Sequence, residues 1–181
     1  MAGDATLIEP NRPHIVRQNF SLPRWPERMN GFTVVLLSDF HYDPFFSVHP
    51  LRAAVPLVKG LNPDLIVLAG DFVTAPIVGD DRKAALAAEP CAHLLHEMTA
   101  PHGLWAILGN HDADTGPKIV TGALQAEGIQ VLANQPLYTT CGLGTVGLPM
   151  RLNCPPEITL LTLNRAAGRE PEAPTHLLRS G

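Results

Sequence analysis

The chain has no long apolar run, no basic cluster and little cysteine, and each shortage closes off a class of function. No stretch approaches the roughly 20 consecutive apolar residues that a membrane span needs, and the opening MAGDATLIEPNRP lacks the apolar centre of a secretory signal. The default expectation is a cytoplasmic protein, with a peripheral place at a membrane as the variant. A net charge of −4 without any basic tract argues against general nucleic-acid binding. Cys91, Cys141 and Cys154 form no Cys-x-x-Cys pair and are odd in number, so reduced, mostly buried thiols are expected. A Cys141–Cys154 disulfide is the weaker alternative. No Gly-x-Gly-x-x-Gly or phosphate-binding loop follows an apolar run, which disfavours a nucleotide-binding Rossmann-like module.

What is present suits one globular domain: 181 residues, 45% hydrophobic and 17% charged, enough to bury a core. The 18 prolines are about twice the usual ~5% share, so loops and element edges should be frequent. Residues 1–30 mix charge and proline and read as an N-terminal arm, with IVRQNF as a candidate edge strand. Residues 31–181 read as the domain.

Within it, Thr33–Leu37, Asp64–Ala69 (DLIVLA) and Leu104–Leu108 (LWAIL) are short apolar runs expected of strands buried on both faces. Between the first two, Leu51, Val55 and Val58 recur at helical spacing, with Gly60 as the expected stop. A strand, a helix and a second strand predict a parallel crossover that puts both strand ends on one sheet edge. Residues 80–99 read as helix divided or restarted at Pro90, with Asp80 and Asp81 as N-terminal charges. Gly116-Pro117 opens a further helix in which Ile119, Ala123 and Ala126 share a face, closed by Gly128. Ile129–Ala133 is a fourth strand, and Ile158–Leu163 (ITLLTL) a further candidate.

Chemistry collects where three strands end. The first run exits into Asp39 and His41, the second into Gly70-Asp71, and the third into Gly109, Asn110, His111 and Asp112. Carboxylate, imidazole and amide oxygen together suit a divalent cation such as Mn²⁺, Fe²⁺ or Zn²⁺. Two such cations would need a shared carboxylate. Asp71, alone on its motif, is the natural bridge, with Asp39 and His41 on one ion and Asn110 on the other.

D-x-H at 39–41, G-D at 70–71 and G-N-H-D at 109–112, each after an apolar strand, resemble the calcineurin-like metallophosphoesterases. LLSDFHYDPF, NPDLIVLAGDFV and APHGLWAILGNHD are similar to bacterial members that act on phosphodiesters or on UDP-diacylglucosamine, and the likeness covers roughly residues 31–140. The resemblance implies an α/β fold, a two-sheet sandwich flanked by helices, and a phosphoester hydrolase using water activated by two metals. Its substrate would be a small-molecule or lipid-linked phosphoester. It further implies that Asp39 and His41 bind the first metal, Asp71 bridges and Asn110 binds the second. His111 would stand near the leaving-group oxygen as acid or charge stabiliser, and Asp112 would orient His111.

The family pattern also asks for a lone histidine after a later strand and a G-H-x-H. Here ITLLTL runs into Asn164, and His176, the only histidine after His111, stands in no such motif. The expectation is a sequence truncated or aberrant from about residue 141, and the alternative function is an impaired remnant of the hydrolase with an incomplete metal site. Taken singly, Asp39, Asp71 and Asn110 would be ordinary turn residues; three motifs in order favour the metal. His93 and His96, three apart on a helix, are read as a solvated face. Asp43, Phe45 and Phe46 are placed to line a pocket or simply to pack down.

Overall fold

A computed structural model describes residues 12–75, 80–132, 143 and 156–166. In chain order its elements are β1 (His14–Leu22), β2 (Phe32–Leu37), α1 (Val48–Leu61), β3 (Leu65–Ala69), α2 (Asp81–Ala85), α3 (Ala88–His96), β4 (Leu104–Ile107), α4 (Asn110–Thr115), α5 (Pro117–Ala126), β5 (Gln130–Val131) and β6 (Glu157–Arg165). The described strands form one sheet in the order β1-β6-β2-β3-β4-β5. Strands β2, β3, β4 and β5 run parallel to one another. β6 inserts antiparallel to β2 and parallel to β1. The α/β architecture with flanking helices agrees with the expectation, and IVRQNF and ITLLTL are both strands. Cys141, Cys154, His176 and the glycines 144 and 147 lie outside the described residues.

The parallel strands form where apolar, β-branched residues run unbroken. Val34, Val35, Leu36 and Leu37 are all buried, as a strand covered on both faces requires. Val35, Leu37, Ile66 and Leu68 share a core with Leu51, Ala54 and Val58 of α1 and with Cys91, Ala92 and Leu95 of α3. Cys91 is a buried free thiol, as expected. At the far end of β2 and β3, the Asp64 carboxylate accepts from both the N–H and the hydroxyl of Thr33.

Two helix details depart from the sequence reading. Gly60 does not stop α1; the helix runs to Leu61, and Asn62 adopts the left-handed conformation at φ 48°, ψ 54°. Asparagine tolerates that conformation, and Pro63 bars its predecessor from continuing the helix. In α5 the buried positions are Val120 and Leu124, whereas Ile119 and Ala123 are half-buried and Ala126 is exposed. The core-facing stripe is therefore one position on from the predicted face. Gly128, at φ 76°, turns the chain after the helix as expected. Pro90 sits in the first turn of α3, where a missing N–H costs nothing.

Strand register positions the three motifs. Leu37 is level with Leu68, and Leu68 with Ala106. Asp39, Asp71 and Asn110 then lie two, three and four residues past that row, on the carboxyl edge where parallel sheets place their sites.

Candidate metal centre

Beyond β2 and β3 the two chains stay together as loops. The N–H of Asp39 donates to the Gly70 carbonyl at 3.1 Å, that of His41 to Asp71 at 2.8 Å, and that of Tyr42 to Phe72 at 2.9 Å. Phe40 and Phe72 point inward, both buried, with rings stacked 5.1 Å apart. Alternation around these anchors leaves Asp39, His41 and Asp71 at the sheet edge. All three hold positive φ, at 53°, 41° and 56°, and Asn62 is the only other non-glycine residue that does so among the described residues. Such backbone costs of order 1 kcal/mol per residue and persists where surrounding bonds over-determine it.

The third loop packs against the second through two glycines. A Cβ on Gly109 would lie 2.1 Å from Asp71 Oδ1, and one on Gly70, itself at φ +86°, would lie 2.4 Å from the Gly109 nitrogen. Only a glycine pair allows this approach. It brings the His111 N–H to Asp71 Oδ1 at 3.0 Å.

The other Asp71 oxygen faces His41. His41 Nε2 lies 3.9 Å from Asp71 Oδ2 and 3.8 Å from Asp39 Oδ1. These separations exceed hydrogen-bond distance and leave room for a cation between His41 and either carboxylate. The His41 ring is buried, with Nδ1 lacking a hydrogen-bond partner among the described residues. An imidazole with a carboxylate on either side of it is a donor set that suits Mn²⁺, Fe²⁺ or Zn²⁺. Asn110 opens α4 at the same edge and is exposed.

His111 joins this cluster. Its ligand atom, with those of His41 and Asp71, falls in a group all within 4.8 Å of one another, and its ring meets that of His41 edge-on at 4.9 Å. Its Nδ1 accepts from the Ala75 N–H at 3.0 Å. A backbone N–H can only donate, so the neutral ring carries its proton on Nε2.

Asp112 behaves differently from the expectation that it orients His111. Its buried carboxylate accepts from four backbone groups: Asp71 and Gly109 at 2.8 and 2.9 Å on one oxygen, Phe72 and Val73 at 2.8 and 3.1 Å on the other. It ties the second loop to the third and acts on the site through backbone. Burial pushes its pKa up to about 6, against the pull of the Gly109 and Val73 N–H groups, and the Asp71 charge adds to the rise. Sequence reasoning missed two further groups. The Ser38 hydroxyl donates to Asp39 Oδ2, and the Ala75 N–H fixes the His111 ring. Ser38 could have been noticed beside Asp39; Ala75 acts through backbone and leaves no side-chain signal.

His93 and His96 are exposed, as expected, and both approach Glu127: His93 Nδ1 lies 3.1 Å from its carboxylate, and His96 Nδ1 lies 2.9 Å from its carbonyl. They brace the end of α3 against the turn after α5. Asp80 caps α2 by accepting from the Arg82 N–H.

Carboxylates and imidazoles gathered from three loops at the carboxyl edge of the parallel strands define the class: an α/β fold with a candidate metal centre. The chain belongs to the calcineurin-like phosphoesterase family, whose sequence model matches residues 32–165. It is 32% identical over 111 residues to UDP-2,3-diacylglucosamine pyrophosphatase LpxG of Chlamydia trachomatis, covering 61% of this chain and 32% of that protein. Over 133 residues it is 28% identical to the metallophosphoesterase YkuE of Bacillus subtilis, covering 73% and 44%. Over 107 residues it is 29% identical to phosphodiesterase YaeI of Escherichia coli, covering 58% and 37%. These matches thus span only between about a third and under half of the relatives' lengths.

Proposed function

We propose that the chain hydrolyses phosphodiester or pyrophosphate bonds in a small-molecule or lipid-linked substrate, with two divalent cations, Mn²⁺, Fe²⁺ or Zn²⁺, as cofactors. The observation that carries this reading is the meeting of His41, Asp71 and His111, whose ligand atoms lie within 4.8 Å of one another, with the Asp39 carboxylate 3.8 Å from His41. The names of LpxG, a pyrophosphatase, and YaeI, a phosphodiesterase, support the bond class.

In this reading Asp39 and His41 hold one cation, Asp71 is shared, and Asn110 serves the other. When bound, the pair supplies a water of lowered pKa and neutralises charge growing on the phosphoryl oxygens. His111 presents Nε2–H to the site and donates that proton towards the leaving oxygen. Asp112 holds the loop that bears Asp71 and so fixes the distance between the two halves of the site. No helix among the described residues is long and apolar enough to cross a membrane.

The test is Mn²⁺-, Fe²⁺- or Zn²⁺-dependent hydrolysis of bis(p-nitrophenyl) phosphate near neutral pH. Asp71→Ala is expected to abolish turnover and to lower bound metal in elemental analysis, with the far-ultraviolet dichroism of the fold retained. Absence of turnover with all three metals overturns the reading.

A further inference from the structure

Beside His41 lies a cavity of about 400 Å³ whose lining includes His41, Tyr42, Asp43, Phe46, Ala84 and Ala87. Its volume falls within the roughly 300–1,000 Å³ of small-ligand sites. Pro44 and Thr74 complete the lining, which apart from His41, Asp43 and the hydroxyl-bearing Tyr42 and Thr74 is aromatic or aliphatic. Phe46 belongs to a braced segment: the Asp43 carboxylate accepts from the N–H groups of Phe45, Phe46 and Ser47 at 2.9, 2.7 and 3.0 Å and from the Ser47 hydroxyl at 2.8 Å. Phe45, on the same segment, points away and is 73% exposed. Phe46 thus borders the cavity while itself remaining 51% exposed, and Phe45 faces solvent.

We propose that this cavity is a subsite for a neutral, apolar substituent on the phosphoester oxygen that is not the leaving group, so that the chain prefers phosphodiesters bearing such a group. The proposal rests on the hydrolase reading for the position of the phosphorus. It makes Phe46 a specificity residue. His41, which borders the cavity, holds the phosphoryl side of the site, whereas His111, assigned to the leaving oxygen, is not in the lining. A group entering the cavity is thus the one that stays on phosphorus. The Asp43 carboxylate excludes a second anion.

Phenyl p-nitrophenyl phosphate and methyl p-nitrophenyl phosphate share a leaving group and differ in the group that remains. With the Mn²⁺-loaded chain, and after correction for their rates in hydroxide, kcat/KM is expected to favour the phenyl diester about tenfold, or about 1.4 kcal/mol. Phe46→Ala removes one wall and Ala84→Phe fills the space; each should bring that ratio to within about twofold, consistent with loss of one small apolar contact surface. A ratio near one in the unaltered chain, or one unchanged in both variants, overturns the proposal. A second measurement needs no turnover: calorimetric titration with phenylphosphonate and methylphosphonate, expected to differ about tenfold in Kd and to converge in Phe46→Ala. If neither diester reacts but the phosphonates differ as stated, the hydrolase reading falls and the subsite stands. If the diesters react and the phosphonates do not differ, the subsite falls and the hydrolase reading stands.

Discussion

Replacing Gly109 by alanine tests whether the site depends on two backbones touching. The added Cβ would stand 2.1 Å from Asp71 Oδ1 and 2.5 Å from the Asp71 nitrogen, where ordinary contact begins at 3.4 Å. The neighbour is a short, anchored side chain and its own backbone, so the loops must part by about 1 Å to restore van der Waals spacing. The hydrogen bonds from His111 N–H to Asp71 and from Asp71 N–H to Asp112 cross that gap, and Gly109 N–H to Asp112 lies beside it within the third loop. Overpacking costs about 1–3 kcal/mol, and losing one or two of these bonds adds about 1 kcal/mol each. Urea denaturation of the metal-free chain should therefore show Gly109→Ala destabilised by about 3–5 kcal/mol, with Mn²⁺ binding weakened in calorimetry because Asp71 moves. Gly122→Ala is the control: in the exposed middle of α5 with nothing within 4 Å, it should gain about 0.5–1 kcal/mol from helix propensity alone. If Gly109→Ala stays within about 0.5 kcal/mol of the parent, as surface changes do, and binds Mn²⁺ as before, the close approach is not what builds the site.

Three other outcomes follow from the same geometry. His111→Gln should lower kcat by about 10²–10⁴ while retaining metal, and the loss should be larger for alkyl than for p-nitrophenyl leaving groups; equal losses would refute proton donation. Asp112 gives a pH signature in the metal-free chain. Its carboxyl is raised to about 6 in the folded state by burial against about 3.9 unfolded. The folded chain thus holds the proton more tightly, and this group's contribution is fullest below pH about 4 and falls as pH rises to about 6, by up to about 3 kcal/mol. Denaturant titrations of the parent and Asp112→Asn across that window isolate the effect. A parent that gains on the variant as pH rises would mean that the four N–H donors outweigh burial. Asn62→Ala should destabilise by about 1 kcal/mol, because an alanine Cβ resists the left-handed cap; an unchanged urea midpoint would refute that assignment.

Much of this arrangement was legible because it is local. Apolar runs of four to six residues gave β2, β3 and β4, and the residues that follow each run named the motifs at the sheet edge. What could not be read was which groups hold the loops together. Asp112 sits beside His111 in sequence, and adjacency suggested a partnership; in the structure its carboxylate reaches backbone 39 to 41 residues away. Ala75 contributes only an N–H, a group that every residue but proline carries. The end of α1 was misjudged for a related reason: Gly60 is the better left-handed residue in general, but Pro63 decides where the helix must turn, and Asn62 is the residue in front of it.

The strain at Asp39, His41 and Asp71 shows why side-chain types alone underdetermine the centre. Aspartate and histidine visit positive φ more readily than most residues, but only by a small factor, so none of the three would turn that way unaided. Each is held by a neighbour: Asp39 by Gly70, His41 by Asp71, and Asp71 by the Asp112 carboxylate. Asp112 is itself placed by the first turn of α4, whose entry depends on Gly109 lying flat against Asp71. The geometry is therefore a closed set of dependencies. A change at a residue that touches no ligand position by its side chain, such as Gly70, should disturb metal binding more than removal of the exposed Asn110 amide does.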